Sequence, residues 1–385
     1  MAFPDPLQYP FLNTTMSLYR SIIRPLLFQM DPEAAHHLSV RASAVAGRLP
    51  LLPGLCSRIL SYDAPCLETT AAGLKFRNPI GLAAGWDKSG ESLKMLDHLG
   101  LGFAEIGSIS ARPSVGNPKP RLFRLPSEQA TIVNYGLPND GAEVIAKRLK
   151  AHHSRNPLGV NIVKTNDGSG AAPSNADEIL QDYATSVRLV HEHADYLMLN
   201  LSCPNAEGGK DFFAEPENIR LLLESLADIT LKHPVFLKLS PNPEPRWLEK
   251  VLGICLPYEW VRGFSFNLPP GKPDTLTLTC TRDSLANRPG AVSGKPVSAL
   301  INQCIGTLYP MLPKDRFHII ASGGVFNADD ALEKIQLGAS LIQIYTSLIY
   351  EGPGIAKIIA NGLTELLRNK EFQSISDAVG SGLDS

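Results

Sequence analysis

Six cysteines stand in 385 residues, at positions 56, 66, 203, 255, 280 and 304, and no two of them form a C-x-x-C pair. That spacing argues against a disulfide framework and against a zinc module, so no metal is expected. No secretory pattern opens the chain, and a reducing, intracellular setting is the expectation. Long apolar runs are missing too. None approaches the ~18 to 20 consecutive apolar residues that cross a bilayer, so any membrane contact should be peripheral. Charge of one sign is also lacking: 36 basic against 38 acidic residues leave a net charge of −2. No overall positive field exists to attract nucleic acid. What remains is a chain 44% hydrophobic and 19% charged, long enough for one large core or two ordinary ones.

Residues 16–28, MSLYRSIIRPLLF, place Leu18, Ile22, Ile23, Leu26 and Leu27 at helical spacing, with Pro25 interrupting. Asp31, Pro32 and Glu33 form an N-cap, an N1 proline and a first-turn acid for a second helix through about Gly47, which LPLLPGLC (49–56) closes. These two helices make a small extension over 1–57, ahead of a main body over 58–370 and a loose tail over 371–385. The extension is either a lid packed on the core or a surface that dips into lipid.

From residue 79 the texture changes to eight short apolar runs: 79–85, 102–110, 158–164, 196–203, 235–240, 262–267, 317–324 and 341–346. Helical stretches lie between them, which implies parallel βαβ units and, with eight of them, a closed (β/α)8 TIM barrel. The Pro- and Gly-rich segments 111–140 and 268–295 are too long for ordinary connections and read as insertions at the mouth.

In such a barrel the site sits at the carboxyl ends of the strands. The polar residues there include Lys88, Ser108, Asn161, Asn200, Cys203, Asn205, Lys238, Asn267, Ser322, Gly323, Gly324, Tyr345 and Thr346. Gly323 and Gly324 are either tight-turn glycines or, with Tyr345 and Thr346, a phosphate site. Lys88 and Lys238, at the ends of apolar strands, either snorkel or pair with a carboxylate such as Asp87, or an anionic ligand offsets their burial. A phosphate anchor with Asn and Lys groups and no metal cluster suits a phosphorylated organic cofactor, flavin mononucleotide (FMN) best.

The stretches FQMDPEAAH, NPIGLAAGWDKSGE, GNPKPRLFRLP, NLSCPN, VSGKPV, ASGGV and GASLIQIYTSLIYEGP, in this order over about residues 20–360, resemble the dihydroorotate dehydrogenases. The N-terminal extension and GNPKPRLFRLP resemble the membrane-associated, quinone-linked class 2. The resemblance implies FMN-dependent oxidation of dihydroorotate to orotate in pyrimidine biosynthesis, with quinone as acceptor. Ala83, Ala84 and Gly85 would pack on the flavin, Ser108 and Asn161 would contact it, and Lys238 would sit at its N1 edge. Ser293, Gly294, Gly323, Gly324, Tyr345 and Thr346 would hold the phosphate end. Lys88, Asn134, Asn200, Asn205 and Asn267 would face the substrate, with Cys203 as the base and Lys88 beside it. Arg121 and Arg124 match the arginines of a quinone tunnel. The setting implied is the inner face of a membrane, held peripherally, or the cytoplasm.

Cys203 is a departure. Class 2 enzymes usually carry serine there, whereas NLSCPN and GLPN have the class 1 wording. A cysteine's ordinary pKa of ~8.5 makes it the easier proton acceptor. In addition Val133 stands where the family has a substrate-facing asparagine, Leu268 where it has threonine, and Ala206 where it has a polar residue. Each change removes a hydrogen-bonding group, which opens a second reading: a related FMN oxidoreductase for a less polar cyclic or unsaturated substrate. A non-enzymatic flavoprotein is the third, opposed by the retention of Lys88, Cys203 and the asparagines.

Overall fold

The computed structural model describes residues 18–168, 170–202, 212–276, 278–281 and 285–383. Cys203, Asn205 and Ala206 therefore lie outside the described residues. Eight parallel strands close a barrel: β1 (Ile80–Leu82), β2 (Phe103–Ile109), β3 (Leu158–Ile162), β4 (Tyr196–Asn200), β5 (Val235–Leu239), β6 (Val261–Phe266), β7 (His318–Ser322) and β8 (Leu341–Ile344). Each pairs with its neighbours in sequence, and β8 returns to β1 through Ile342 opposite Ile80. All eight expected runs are strands, each trimmed where its polar end turns into a loop.

The bottom of the barrel is filled by rings. Phe103, Tyr196 and Phe236 project inward from β2, β4 and β5, with Phe103–Tyr196 and Tyr196–Phe236 centroids 6.4 and 5.6 Å apart. Glycines on alternate strands make the room: a Cβ at Gly81 would lie 2.3 Å from the Phe103 ring, and one at Gly159 2.1 Å from the Tyr196 ring. A hairpin, Thr69–Ala71 with Leu74–Phe76, plugs the opening, its Phe76 ring 5.3 Å from Phe103.

The two long insertions meet each other at the opposite end. Leu122–Leu125 and Ala130–Val133 come from the first, Ala291–Gly294 from the second, and they pair as a three-stranded antiparallel sheet. This sheet roofs the barrel mouth.

Among the described residues the N-terminal extension carries three helical segments. α1 (Arg24–Gln29) follows a wider helical turn over Tyr19–Ile23, so Pro25 does not break the run; a wide turn absorbs the N–H that proline lacks. α2 (Pro32–Ala46) starts as expected, with Asp31 Oδ1 accepting from the N–H groups of Glu33 and Ala34 at 3.0 and 2.9 Å. α3 (Leu52–Leu60) is the added element, and it carries the extension past residue 57. Its apolar residues had read as the close of the preceding helix, because Pro53 and Gly54 mask a short helical period.

Among the described residues the remaining α-helices are α4 (Leu93–Leu96), α5 (Ala142–Lys150), α6 (Ala176–Val190), α7 (Pro216–Ser225), α8 (Pro245–Cys255), α9 (Ser298–Leu308), α10 (Ala328–Gln336), α11 (Thr346–Glu351) and α12 (Ile355–Asn369). The segment after α12 is not a loose tail. Ile375 and Ala378 are buried, and the N–H groups of Gly380 and Gly382 donate to Ile335 and Gln336 carbonyls at 3.0 and 2.9 Å. Its Ser and Gly composition reflects a capped turn, Ser374 to Asp377, rather than disorder.

A buried carboxylate joins the extension to the roof. Glu33 of α2, only 3% exposed, accepts from Arg121 Nη2 at 2.7 Å, while Arg121 Nη1 donates to the carbonyls of Val115 and Asn117 at 2.6 and 2.8 Å. Burial pushes the Glu33 carboxyl up, but the Arg121 guanidinium, helped by Lys119 at 3.3 Å, outweighs it and holds the group down at about 2. The folded value lies below the ordinary one, so this stabilisation is complete above pH ~4.5 and is lost as the pH falls through about 2; its size is about 3 kcal/mol. Arg121→Met should cost about 3 kcal/mol in urea unfolding at pH 7, and the deficit should shrink as Glu33 protonates. Equal stability at pH 7 would show that the clamp holds nothing.

Candidate functional site

Because side chains alternate along a strand, residues two apart stack in layers inside the barrel. Two positions above Phe103 on β2 is Glu105, fully buried. Its Oε1 accepts from Asn161 Nδ2 at 2.8 Å and lies 3.9 Å from Lys238 Nζ; its Oε2 accepts from Gln343 Nε2 at 2.8 Å and from the Tyr196 hydroxyl at 3.1 Å. Four strands thus converge on one carboxylate. Burial and the adjacent Glu105 push the Tyr196 phenol well above its ordinary pKa, so it keeps the proton it donates to Glu105. Glu105 and Gln343 did not stand out in the sequence, although an acid inside the apolar run GFAEIGSIS was the available signal.

Above this layer opens the main cavity. Its wall includes Ala83, Ala84, Gly85, Lys88, Ser108, Asn200, Lys238, Asn267, Ser293, Gly294, Gly323, Gly324, Tyr345 and Thr346, as the strand ends suggest. Asn161 is not on that wall. It lies behind Ser108, accepting from the Ser108 hydroxyl at 2.5 Å, so it orients that hydroxyl from the polar layer. Asn200 Nδ2 donates to Ser108 Oγ at 3.2 Å, and Asn267 Nδ2 to Asn200 Oδ1 at 3.1 Å, forming an amide ladder across β2, β4 and the end of β6.

Asn134 is also off the wall. Thr131, Val133 and Tyr135 face the cavity, and the same alternation turns Asn134 outward, where its Oδ1 accepts from Asn117 at 3.1 Å. Val133 and Leu268 both contribute apolar surface to the cavity.

Lys88 does not pair with Asp87. The Asp87 carboxylate is taken by the N–H groups of Ser89, Glu91 and Ser92 and by the Ser92 hydroxyl. Lys88 Nζ instead lies 2.8 Å from His36 Nε2 and 4.1 Å over the Tyr135 ring. Burial, only partly opposed by Asp87 and Glu33, pushes the Lys88 ammonium down to about 7. Burial and the Lys88 cation hold His36 well below its ordinary value, so the imidazole is neutral and its Nδ1 faces the Tyr345 hydroxyl at 3.3 Å. An α2 side chain thus bridges two residues of the barrel mouth.

At the phosphate-type corner, Gly323 and Gly324 have φ of +99° and +79°, and a Cβ at Gly324 would lie 2.5 Å from that of Ser298. Ser293 Oγ joins Thr131 Oγ1 at 2.6 Å to Thr346 Oγ1 at 3.0 Å. Cys255 and Cys304 are fully buried, with burial pushing both thiols up to about 12, which fits inert core residues. No metal-binding group of His, Cys, Asp or Glu occurs among the described residues.

A second cavity of about 420 Å³ lies under the extension, lined by Ile23, Leu27 and Phe28, by Ala35, His36 and Ser39, and by Cys56 and Leu60. Arg124 lines it, with its guanidinium 4.7 Å from the Phe28 ring centroid. Arg121 does not: Glu33 and the roof carbonyls occupy it. Leu122, Thr131, Tyr345 and Ile349 belong to both cavities, so the partition is one side chain thick.

Residues 66–367 match the family model described as dihydroorotate dehydrogenase. The chain belongs to the dihydroorotate dehydrogenase family. It is 37% identical over 369 residues to the dihydroorotate dehydrogenase (quinone) of Roseiflexus sp. (strain RS-1), covering 94% of this chain and 98% of that one. The mitochondrial dihydroorotate dehydrogenase (quinone) of Mus musculus is 35% identical over 376 residues, with 94% and 90% covered. A ligand-free dihydroorotate dehydrogenase structure from Eimeria tenella aligns at a TM-score of 0.77 and 30% identity, over 92% of this chain and 99% of that one. These relatives place the chain with the quinone-linked class of dihydroorotate dehydrogenases, the class that GNPKPRLFRLP and the extension resemble.

Glu105→Gln keeps the shape but sets an amide N–H against the donors of Asn161 or Gln343. It should lower stability by about 2 to 4 kcal/mol, read as a shifted urea midpoint at unchanged slope. An unshifted midpoint would mean the carboxylate does not organise the layer.

Proposed function

We propose that this chain oxidises dihydroorotate to orotate, with FMN in the main cavity and a quinone in the second as electron acceptor. The observation that carries the reading is the pair of cavities divided by one layer of side chains, in a chain of this family. The donor set suits FMN. Gln343 Oε1 and Ser347 Oγ, both on the cavity wall, are buried without a hydrogen-bond partner, and a flavin brings the groups to satisfy them. Ala83, Ala84 and Gly85 offer a flat wall for a ring system, and Ser293, Gly294, Gly323, Gly324, Tyr345 and Thr346 the polar corner for a phosphate. When bound, FMN supplies the acceptor for the hydride that leaves C6 of dihydroorotate.

The chain's own residues do the rest. Lys238 presents a buried ammonium to the cavity, its charge moderated by Glu105 on the far side. Lys88 meets the substrate's carboxylate, while Asn200 and Asn267 bind its amide groups, Asn205 with them by sequence position. Cys203 takes the proton from C5. Tyr345 and Thr131, in the shared partition, fix the spacing between the two reactants' cavities.

Quinones are lipid-soluble, and the helices lining the second cavity, with the turn between the last two, keep apolar side chains in water. Leu18, Ile22, Leu26, Leu49, Leu55 and Ile59 are exposed, and Leu51 is 88% exposed. We read this surface as a peripheral membrane contact; no helix among the described residues is long and apolar enough to cross a membrane.

A second reading, oxidation of a less polar cyclic substrate, is favoured by Val133 and Leu268 on the cavity wall. Orotate decides between them. It should perturb the flavin spectrum and dihydroorotate should bleach it; loss of both responses, with the flavin bound, favours the second.

Two variants probe the chemistry. Cys203→Ala should retain bound flavin yet slow its reduction by dihydroorotate about 10³-fold at neutral pH, with Cys203→Ser intermediate. Unchanged stopped-flow reduction in Cys203→Ala removes the base assignment. Lys88 carries its proton below about 7 in the free protein. A bound carboxylate keeps it protonated, so orotate affinity should be full at pH 6 and about tenfold weaker at pH 8. In Lys88→Met that slope should vanish; a persisting slope assigns the titration to another group.

A further inference from the structure

Behind the Gly323–Gly324 corner lies a charge that the mechanism does not use. Lys334 of α10 is fully buried between α10 and α9. Its Nζ donates to Ser298 Oγ at 3.2 Å and Asn302 Oδ1 at 2.5 Å, two neutral groups four residues apart on one face of α9. No carboxylate among the described residues comes within ion-pairing distance of it; Asp330 and Glu333 of its own helix act only from farther away. Burying an ammonium against a hydroxyl and an amide is costly unless a negative charge nearby offsets it.

The geometry says where that charge would sit. Ser298 is the side chain against which Gly324 packs: a Cβ on Gly324 would lie 2.7 Å from Ser298 Oγ. Gly324 and Val297 both line the main cavity, so one side chain separates the Lys334 ammonium from the wall. Lys238, a buried lysine on the cavity wall, has Glu105 as its counter-charge at 3.9 Å; among the described residues Lys334 has no such partner.

We propose that Lys334 is a positioning residue for the cofactor's phosphate: it acts through Ser298 on the Gly323–Gly324 corner and supplies the positive charge that the phosphate dianion completes. This rests on the FMN reading above. The ammonium never touches the ligand, and its contribution is Coulombic, undiminished by water because the space between is filled by protein. It follows that Lys334 favours FMN over riboflavin, which has the same ring and ribityl chain without the phosphate. A lysine that merely ties α9 to α10 would treat the two alike.

The test is a comparison of the two flavins on the full-length chain stripped of cofactor, followed by quenching of flavin fluorescence. Lys334→Met should weaken FMN binding about 30-fold while moving riboflavin by no more than about threefold. Asn302→Asp keeps the lysine but hands it a carboxylate, and should erase the same preference without loss of packing. The apoprotein melting temperature of Lys334→Met should stay level or rise, because an uncompensated charge has been removed. Equal losses for both flavins, or an unchanged FMN-to-riboflavin ratio in both variants, overturns the proposal. Parent protein that takes up riboflavin but shows no preference for FMN overturns it as well. Parent protein that binds neither flavin overturns the cofactor reading itself, and this inference with it.

Discussion

A single carboxylate in the middle of the barrel sets the terms for everything above it. Glu105 is closed off from water, and it is tolerated there only because Asn161, Lys238, Gln343 and Tyr196 all turn toward it. Each of those partners is thereby fixed in direction. Asn161 in turn fixes Ser108, Ser108 meets Asn200, and Asn200 meets Asn267. The polar groups at the cavity floor are held in place before any ligand arrives, by a network that has no freedom to relax.

Below that layer the barrel is apolar and aromatic, and above it the roof is assembled from two distant insertions. This order has a physical reason. Rings against glycines at the bottom close the barrel without strain, the charged layer cannot lie where a hairpin plug excludes donors, and the cavity needs the longer loops that only the carboxyl ends supply. The extension is fastened to this body by polar contacts that include Glu33 to Arg121, Arg20 to Glu351, Arg24 Nη1 to the Tyr350 carbonyl at 2.9 Å, Tyr19 to the Ile349 carbonyl at 2.7 Å, Arg124 Nη1 to the Met30 carbonyl at 3.0 Å, and His36 between Lys88 and Tyr345.

Much of this was legible in the residues themselves. Eight apolar runs separated by helical stretches specify a barrel because period and length leave little else, and strand ends locate a cavity by topology alone. Asn134 and Asn161 stand off the cavity wall for opposite reasons: alternation turns Asn134 outward to Asn117, and the Ser108 hydroxyl stands between Asn161 and the cavity. Arg121 and Arg124 differ by three positions in one motif, yet only the buried Glu33 opposite decides which becomes structural. Glu105 was overlooked because hydropathy averages an acid away inside FAEIGSI, and the tail because Ser and Gly signal a capped turn and a loose end equally well. NLSCPN remains a reading from sequence, since its Cys203 and Asn205 lie outside the described residues.

The eight strands of the barrel run from Ile80 onward, and none of them pairs with residues 18–60. The chamber under the extension therefore exists only where those helices happen to be fastened. Substitutions on the extension can reshape that chamber without touching a barrel strand, and His36, which reaches Lys88 and Tyr345, is the point at which such a change is passed on to the main cavity.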